Sequence, residues 1–241
     1  MWASAKSSHD VHATRIDPSP PPMNTSFPYP ILYESPRLVV IDKPAGLPVH
    51  PGPKAQHSVE ALFPLLSRRK DGPWLVHRLD TDTSGCLMIA LRKQALVEAQ
   101  ALFASGQVRK TYWAVVTNAP DHAEGIIEAP LRKVTSKEGW HMEAHPDGQD
   151  ARTKWRVLSR QGNKALLELD LLTGRTHQAR VHCQVLGCPI LGDARYGGGA
   201  GRLHLMSRAL EATLSGETVR AQAEPPTFMK ESCQSFELAW P

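Results

Sequence analysis

Three observations predict an α+β fold. Short apolar runs of strand length recur at residues 38–41, 86–91 and 165–172. Plain helical periodicity is rare, and its best instance is residues 94–104, where Leu96, Ala99, Leu102 and Phe103 make one apolar stripe. Strands and helices also interleave irregularly, without the steady alternation of a parallel α/β sheet.

Taken in order, residues 1–28 carry Ser, His, Asp and the run Pro18-Ser19-Pro20-Pro21-Pro22 with no periodic apolar pattern, which reads as a disordered or extended tail. One domain is expected over residues 29–241. Residues 38–41 read as a buried strand that Asp42-Lys43-Pro44-Ala45-Gly46 breaks. A helix is expected after Ser58 as its cap, shortened or kinked by Pro64. Residues 73–76 and 86–91 read as two buried strands with a polar nonapeptide, residues 77–85, slung between them. The helix at 94–104 ends at Gly106, and residues 108–117 alternate as a strand carrying Tyr112.

Residues 118–150 place Gly125, Pro130, Gly139, Pro146 and Gly148 among charged residues, so hairpins and a mobile loop are expected. Residues 155–158 and 165–172 read as antiparallel neighbours across 159–164. Thr176 is the expected N-cap of a helix ending near Gly187. His177, Arg180 and Gln184 would share one face of it, with Val181 and Val185 toward the core. The glycine run at 197–201 lacks a following Gly-Lys-Ser/Thr and reads as a turn, not a phosphate loop.

Composition narrows the class. With 241 residues, 41% hydrophobic and 22% charged, the chain is large enough for a sizeable core. No apolar run is long enough to span a membrane, and the N-terminus shows no apolar signal core, so a cytoplasmic protein is expected. Cys86, Cys183, Cys188 and Cys233 form no CxxC pair, which argues against a zinc ribbon or a redox motif. A net charge of +4 permits a polyanionic partner without requiring one.

The nonapeptide HRLDTDTSG at 77–85 holds far more reactive groups than a turn needs. His77, Asp80 and Ser84 contain the residue types of a hydrolase triad, but they crowd one loop and no Gly-x-Ser-x-Gly elbow accompanies them. A second polar stretch, GRTHQARVH at 174–182, puts Arg180 in the first turn of its helix, where a guanidinium and free amides both favour a carboxylate. His177 and His182 are five apart without the HExxH glutamate, so zinc is disfavoured.

These two stretches resemble the HRLDxxTSG and GRTHQxRVH motifs of the RluA-type family of RNA pseudouridine synthases. Three more stretches follow the family's order. Lys43-Pro44-Ala45-Gly46-Leu47-Pro48-Val49-His50 resembles its KPxGxxVH, and Arg109-Lys110-Thr111-Tyr112 its K-x-Y strand. Gly187-Cys188-Pro189-Ile190-Leu191-Gly192-Asp193 with Tyr196-Gly197 resembles its GHPILGDxxYG. One departure is Met206-Ser207 after Leu205, where the family usually has His-Ala.

The resemblance implies a mostly antiparallel central sheet flanked by helices and loops around a catalytic cleft. It implies isomerisation of uridine to pseudouridine in RNA, with no cofactor and no metal. Asp80 then matches the catalytic aspartate, Arg180 its buried partner, and Tyr112 the tyrosine that packs on the target base. Arg78 matches an arginine thought to enter the RNA as the base leaves, its plainer role being to pair with Asp82 or brace the loop. Asp82 is the alternative carboxylate, at a variable position of the motif.

Some relatives carry a small N-terminal RNA-binding domain, for which this tail is too short and too poor in apolar residues. The implied partner is therefore a structured stem-loop of ribosomal large-subunit RNA or transfer RNA, bound by the catalytic body of a monomer with no protein partner. Arg68-Arg69-Lys70, Arg109-Lys110, Arg132-Lys133 and Arg152, Lys154 and Arg156 are the expected phosphate track. The alternative from another class is a noncatalytic RNA-binding protein, against which Asp80, Tyr112 and Arg180 argue together.

Overall fold

The computed structural model describes residues 27–52, 57–137 and 139–241. The expected tail lies outside them as far as residue 26. Phe27, read as part of that tail, is instead 7% exposed and packs edge-on against Tyr29. In chain order the first elements are β1 (Ile31–Glu34), β2 (Leu38–Lys43), a 3-10 turn (Glu60–Leu62) leading into α1 (Phe63–Leu66), β3 (Trp74–Leu75), β4 (Ser84–Ala90), α2 (Lys93–Ala104) and β5 (Arg109–Thr117). Then come β6 (Glu124–Glu128), β7 (Leu131–Ser136), β8 (Gly139–Ala144), β9 (Arg152–Gln161), β10 (Lys164–Leu171) and α3 (Gln178–Val185). The last are β11 (Leu205–Leu214), β12 (Glu217–Gln222) and α4 (Thr227–Ser235). No helix among the described residues is long and apolar enough to cross a membrane.

Ten strands make one sheet in the order β1-β2-β4-β11-β5-β10-β9-β6, with β3 on β4 and β12 on β11. Its pairings are antiparallel except that of β4 with β11. Hairpin β7–β8 stands apart as its own small sheet.

Alternation along the strands feeds two cores. Val39, Ile41, Leu87, Ile89, Ala114 and Val116 pack with Ala179 and Cys183 of α3. Val40, Met88, Val115 and Met206 pack with Ala95 and Ala99 of α2 and with Met229 and Cys233 of α4. Burial on both faces accounts for the unbroken apolar runs in the sequence. The same two-residue period puts Tyr112 in the core that α3 covers.

Several expectations are corrected. Ser58 Oγ does accept the Ala61 N–H at 3.2 Å, yet Pro64 leaves only the 3-10 turn and the four residues of α1. Within residues 118–150 the expected hairpin is present as β7–β8, and β6 joins the large sheet through β9. The third helix begins at Gln178 rather than after Thr176, because Gln178 Oε1 folds back to accept the Arg175 N–H and the Thr173 hydroxyl. His177 thereby becomes the capping residue, in left-handed conformation at φ 53°. The helix is rotated accordingly: Ala179, Val181 and Cys183 are buried, whereas Val185 is 50% exposed and Gln184 faces solvent.

The polar loop between β3 and β4 is braced on every side. Leu79 is buried, the Thr83 N–H donates to the Asp80 carbonyl, and the Met88 N–H donates to His77 Nε2 at 3.0 Å. Gly85, at φ 104°, has the Ser207 carbonyl oxygen 2.1 Å from where a Cβ would stand, so only glycine lets β4 approach β11 here. Lys43 is fully buried, and its Nζ donates to the carbonyls of Pro44, Leu47 and Thr81 at 2.8–3.0 Å. Burial pushes its pKa down to about 8, with Asp82, Asp80 and Asp42 opposing. Lys43→Met removes a costly buried charge but strands three carbonyls, and the second effect should win, with a stability loss of about 2 kcal/mol or more in urea unfolding. A loss below about 0.5 kcal/mol would mean that the bonds do no more than repay desolvation.

Candidate active site

The braced loop, β5 and the start of α3 converge on one cleft of about 410 Å³, within the usual range for a ligand pocket. Asp80, Tyr112, His177, Arg180 and Leu205 all line it. Arg180 sits in the first turn of α3 and divides its guanidinium. Nε and Nη2 donate to Asp193 Oδ2 and Oδ1 at 2.7 and 2.9 Å, and Nη1 reaches Asp80 Oδ2 at 3.4 Å. Asp193 has no exposed side-chain surface and also accepts the backbone N–H groups of Arg195 and Tyr196. Burial works against the charge on Arg180, but the Asp193 hydrogen bonds and the nearby carboxylates more than offset it and raise its pKa. A bidentate guanidinium–carboxylate pair is both strong and directional.

Around that pair the walls are cationic and aromatic. Lys110, mostly buried, donates to the Thr173 carbonyl at 3.1 Å, and burial followed by the charge of Arg175 lowers its pKa. Tyr112 is buried, which raises the pKa of its phenol and keeps it protonated. His77 stacks on Phe103 with ring centroids 4.5 Å apart, and burial, then Lys110, pull its pKa down to about 3. It is therefore a neutral brace, not a member of a hydrolase triad, and Ser84 lies in β4 with a buried hydroxyl that has no partner among the described residues.

The four sequence-derived site residues sort clearly. Asp80, Tyr112 and Arg180 come together in the cleft. Arg78 is exposed at its rim, between this cavity and a second one lined by Arg132, Lys133, Trp140 and Arg175, and its side chain has no partner among the described residues. The pairing of Arg78 with Asp82 is therefore absent. Asp82 instead lines a separate cavity with Lys43 and Glu224. His182 points away from His177, bonding Thr153 Oγ1 and the Ala129 carbonyl. Leu205 lines the cleft in spite of the departure that follows it.

The expected phosphate track is thinner than its charges suggest. Arg132 pairs with Glu143, Arg156 with Glu168, Arg152 with Asp150 and Arg109 with Asp170. Besides Arg180, and Arg78 at the rim, Arg175 and Lys110 bring positive charge to the cleft itself. Asp193, Tyr196 and Trp140 went unassigned from sequence. An acid between Gly192 and an Arg-Tyr pair, directly after an apolar run, is the signal that could have flagged Asp193 as the fixed partner of a buried arginine.

Comparison with known proteins bears on what such a cleft does. The model of the RNA pseudouridylate synthase family matches residues 37–185. A protein of Zymomonas mobilis called an uncharacterized RNA pseudouridine synthase is 40% identical over 204 residues, spanning 81% of this chain and 93% of its own length. The mitochondrial pseudouridylate synthase RPUSD4 of Rattus norvegicus is 36% identical over 191 residues, 69% of this chain and 51% of that one. Among solved structures, human RNA pseudouridylate synthase domain containing 4 superposes with a TM-score of 0.74 at 30% identity, over 88% of this chain and 94% of that one. Human RNA pseudouridylate synthase domain containing 1 gives 0.68 at 24% identity, over 92% and 99%, a likeness of fold alone.

Asp193→Asn keeps volume but leaves Arg180 a single neutral acceptor. Turnover should fall about tenfold or more while the circular dichroism spectrum stays that of the wild type. Unchanged turnover would mean that the position of Arg180 does not depend on Asp193.

Proposed function

The chain belongs to the RNA pseudouridylate synthase family and is an isomerase of RNA uridines; from this premise we propose that Asp80 is the reacting carboxylate and that the substrate is ribosomal large-subunit RNA, transfer RNA or both. The observation that carries the reading is the meeting of Asp80, Arg180 and Tyr112, from three separate segments, in one cationic cleft. The reaction breaks the bond from C1′ of the ribose to N1 of uracil, turns the base, and joins C1′ to C5, which gives up its proton while N1 takes one up. No electron is gained or lost.

The cleft residues divide this work. Asp80 attacks a ring carbon or takes a ribose proton, and either route needs a carboxylate held in one place. Arg180 holds it. Tyr112 offers its ring to the detached base. Lys110 and Arg175 supply positive charge at the cleft for the phosphates on either side of the target nucleotide. Four cysteines, all unpaired and buried, support a cytoplasmic home over an oxidising compartment. Mapping pseudouridines across all transcripts of a deletion strain against the wild type identifies the RNA. The reading expects sites lost from large-subunit or transfer RNA.

Asp80→Asn keeps the shape and removes the charge, so it should bind RNA as the wild type does and form no pseudouridine. Substantial turnover by that variant would sink the assignment of Asp80.

Arg78 is proposed to fill the space that the target base vacates. Unstacking a base costs on the order of a few kcal/mol, and an unpaired guanidinium at the rim can stack on bases while bonding phosphate. Arg78→Ala should therefore slow turnover of a folded stem-loop about tenfold more than that of an RNA whose target uridine is already unpaired. Equal losses on both substrates would assign Arg78 to bracing the loop.

A further inference from the structure

His177 stands against the same carboxylate as Arg180, and the chemistry above makes no use of it. Its Nε2 lies 3.7 Å from Asp80 Oδ2, the oxygen that Arg180 approaches. Its Nδ1 lies 2.8 Å from the Tyr196 hydroxyl, which itself accepts the Met142 N–H at 3.0 Å. A hydroxyl that already accepts from an amide has its own proton to give, and Nδ1 is within reach of it. A neutral imidazole that accepts at Nδ1 carries its proton on Nε2, the nitrogen facing Asp80. Burial lowers the pKa of the ring, Arg180 and Arg195 reinforce this, and Asp80 and Asp193 oppose it. Trp140 stacks on the ring at 5.1 Å and Tyr196 meets it edge-on at 5.6 Å. The left-handed backbone at φ 53° is one that a non-glycine residue adopts at a cost, a feature that concentrates at functional sites.

The geometry points to His177 as a positioning residue for Asp80: a neutral imidazole, locked by Tyr196 with its proton on Nε2, that donates to the carboxylate when RNA closes the cleft. The inference rests on the reading of Asp80 as the reacting group. At 3.7 Å the contact is longer than a hydrogen bond, as catalytic contacts often are before substrate binds. Arg180 supplies charge to the carboxylate, and His177 supplies a second direction that stops it rotating about the first. Trp140 and Met142 both lie in β8, so the hairpin beside the cleft reaches Asp80 through this ring.

The test uses the full chain. His177→Asn tolerates the left-handed backbone, but its amide extends only as far as Nδ1, whereas His177→Gln reaches the place of Nε2. In single turnover on a transcribed stem-loop, His177→Asn should be slower by about tenfold or more with RNA affinity within about twofold of wild type, and His177→Gln should recover to within about threefold. Nitrogen-15 correlation spectra of the imidazoles should show the His177 proton on Nε2, a preference lost in Tyr196→Phe. A proton on Nδ1 in the wild type, wild-type turnover in His177→Asn, or equally slow turnover in both variants would overturn the inference. The wild type and Asp80→Asn run in the same assay: substantial turnover by Asp80→Asn would sink the reading of Asp80, an inactive wild type would sink the proposed substrate, and the inference falls with either for that separate reason.

Discussion

A guanidinium has more donors than one carboxylate can take, and Arg180 gives most of its own to a second, buried acid, Asp193. Asp193 takes the two short bonds, and Asp80 is left with a longer one. Asp193 cannot drift, since two backbone amides also bind it. Arg180 is thus anchored before it meets Asp80, and the charge it offers comes from a fixed direction. A lone Arg180–Asp80 pair would close on itself and present a neutralised unit to the substrate. The contacts of both Arg180 and His177 fall on Oδ2, so Oδ1 has no partner among the described residues.

The rest of the fold brings these groups together from distant segments. The sheet carries Tyr112 on the face that α3 covers, and α3 places Arg180 in its first turn. The loop that bears Asp80 is tied to β4 through His77, to the loop after β2 through Lys43, and to β11 through the close approach at Gly85. These ties order the loop as the protein folds, so that little entropy remains to be lost when substrate binds.

What was legible in the sequence is what local pattern decides. Residues buried on both faces of a sheet leave continuous apolar runs, and β2, β4 and β10 stand where those runs fall, while alternation over residues 108–117 marked β5. The stripe from Leu96 to Phe103 marked α2. The α+β class and the family were readable for the same reason, as motifs are local. The start of α3 was not, because it depends on Gln178 folding back onto Thr173 and Arg175. Thr176 has the chemistry of a cap but not its position. The role of Asp193 was hidden because its value comes from burial beside Arg180, which only the tertiary fold creates. Arg132 and Arg156 read as phosphate ligands until the register of β7 with β8 and of β9 with β10 placed a glutamate opposite each.

The measurement that bears most directly on the anchored guanidinium is a double-mutant cycle of Arg180→Gln and Asp193→Asn, read as release of tritium from C5 of labelled uridine in single turnover. If Asp193 acts on catalysis only by anchoring Arg180, the double variant should be scarcely slower than the slower single one, with a coupling of about 1.5 kcal/mol or more. Losses that multiply, leaving a coupling under about 0.5 kcal/mol, would contradict it.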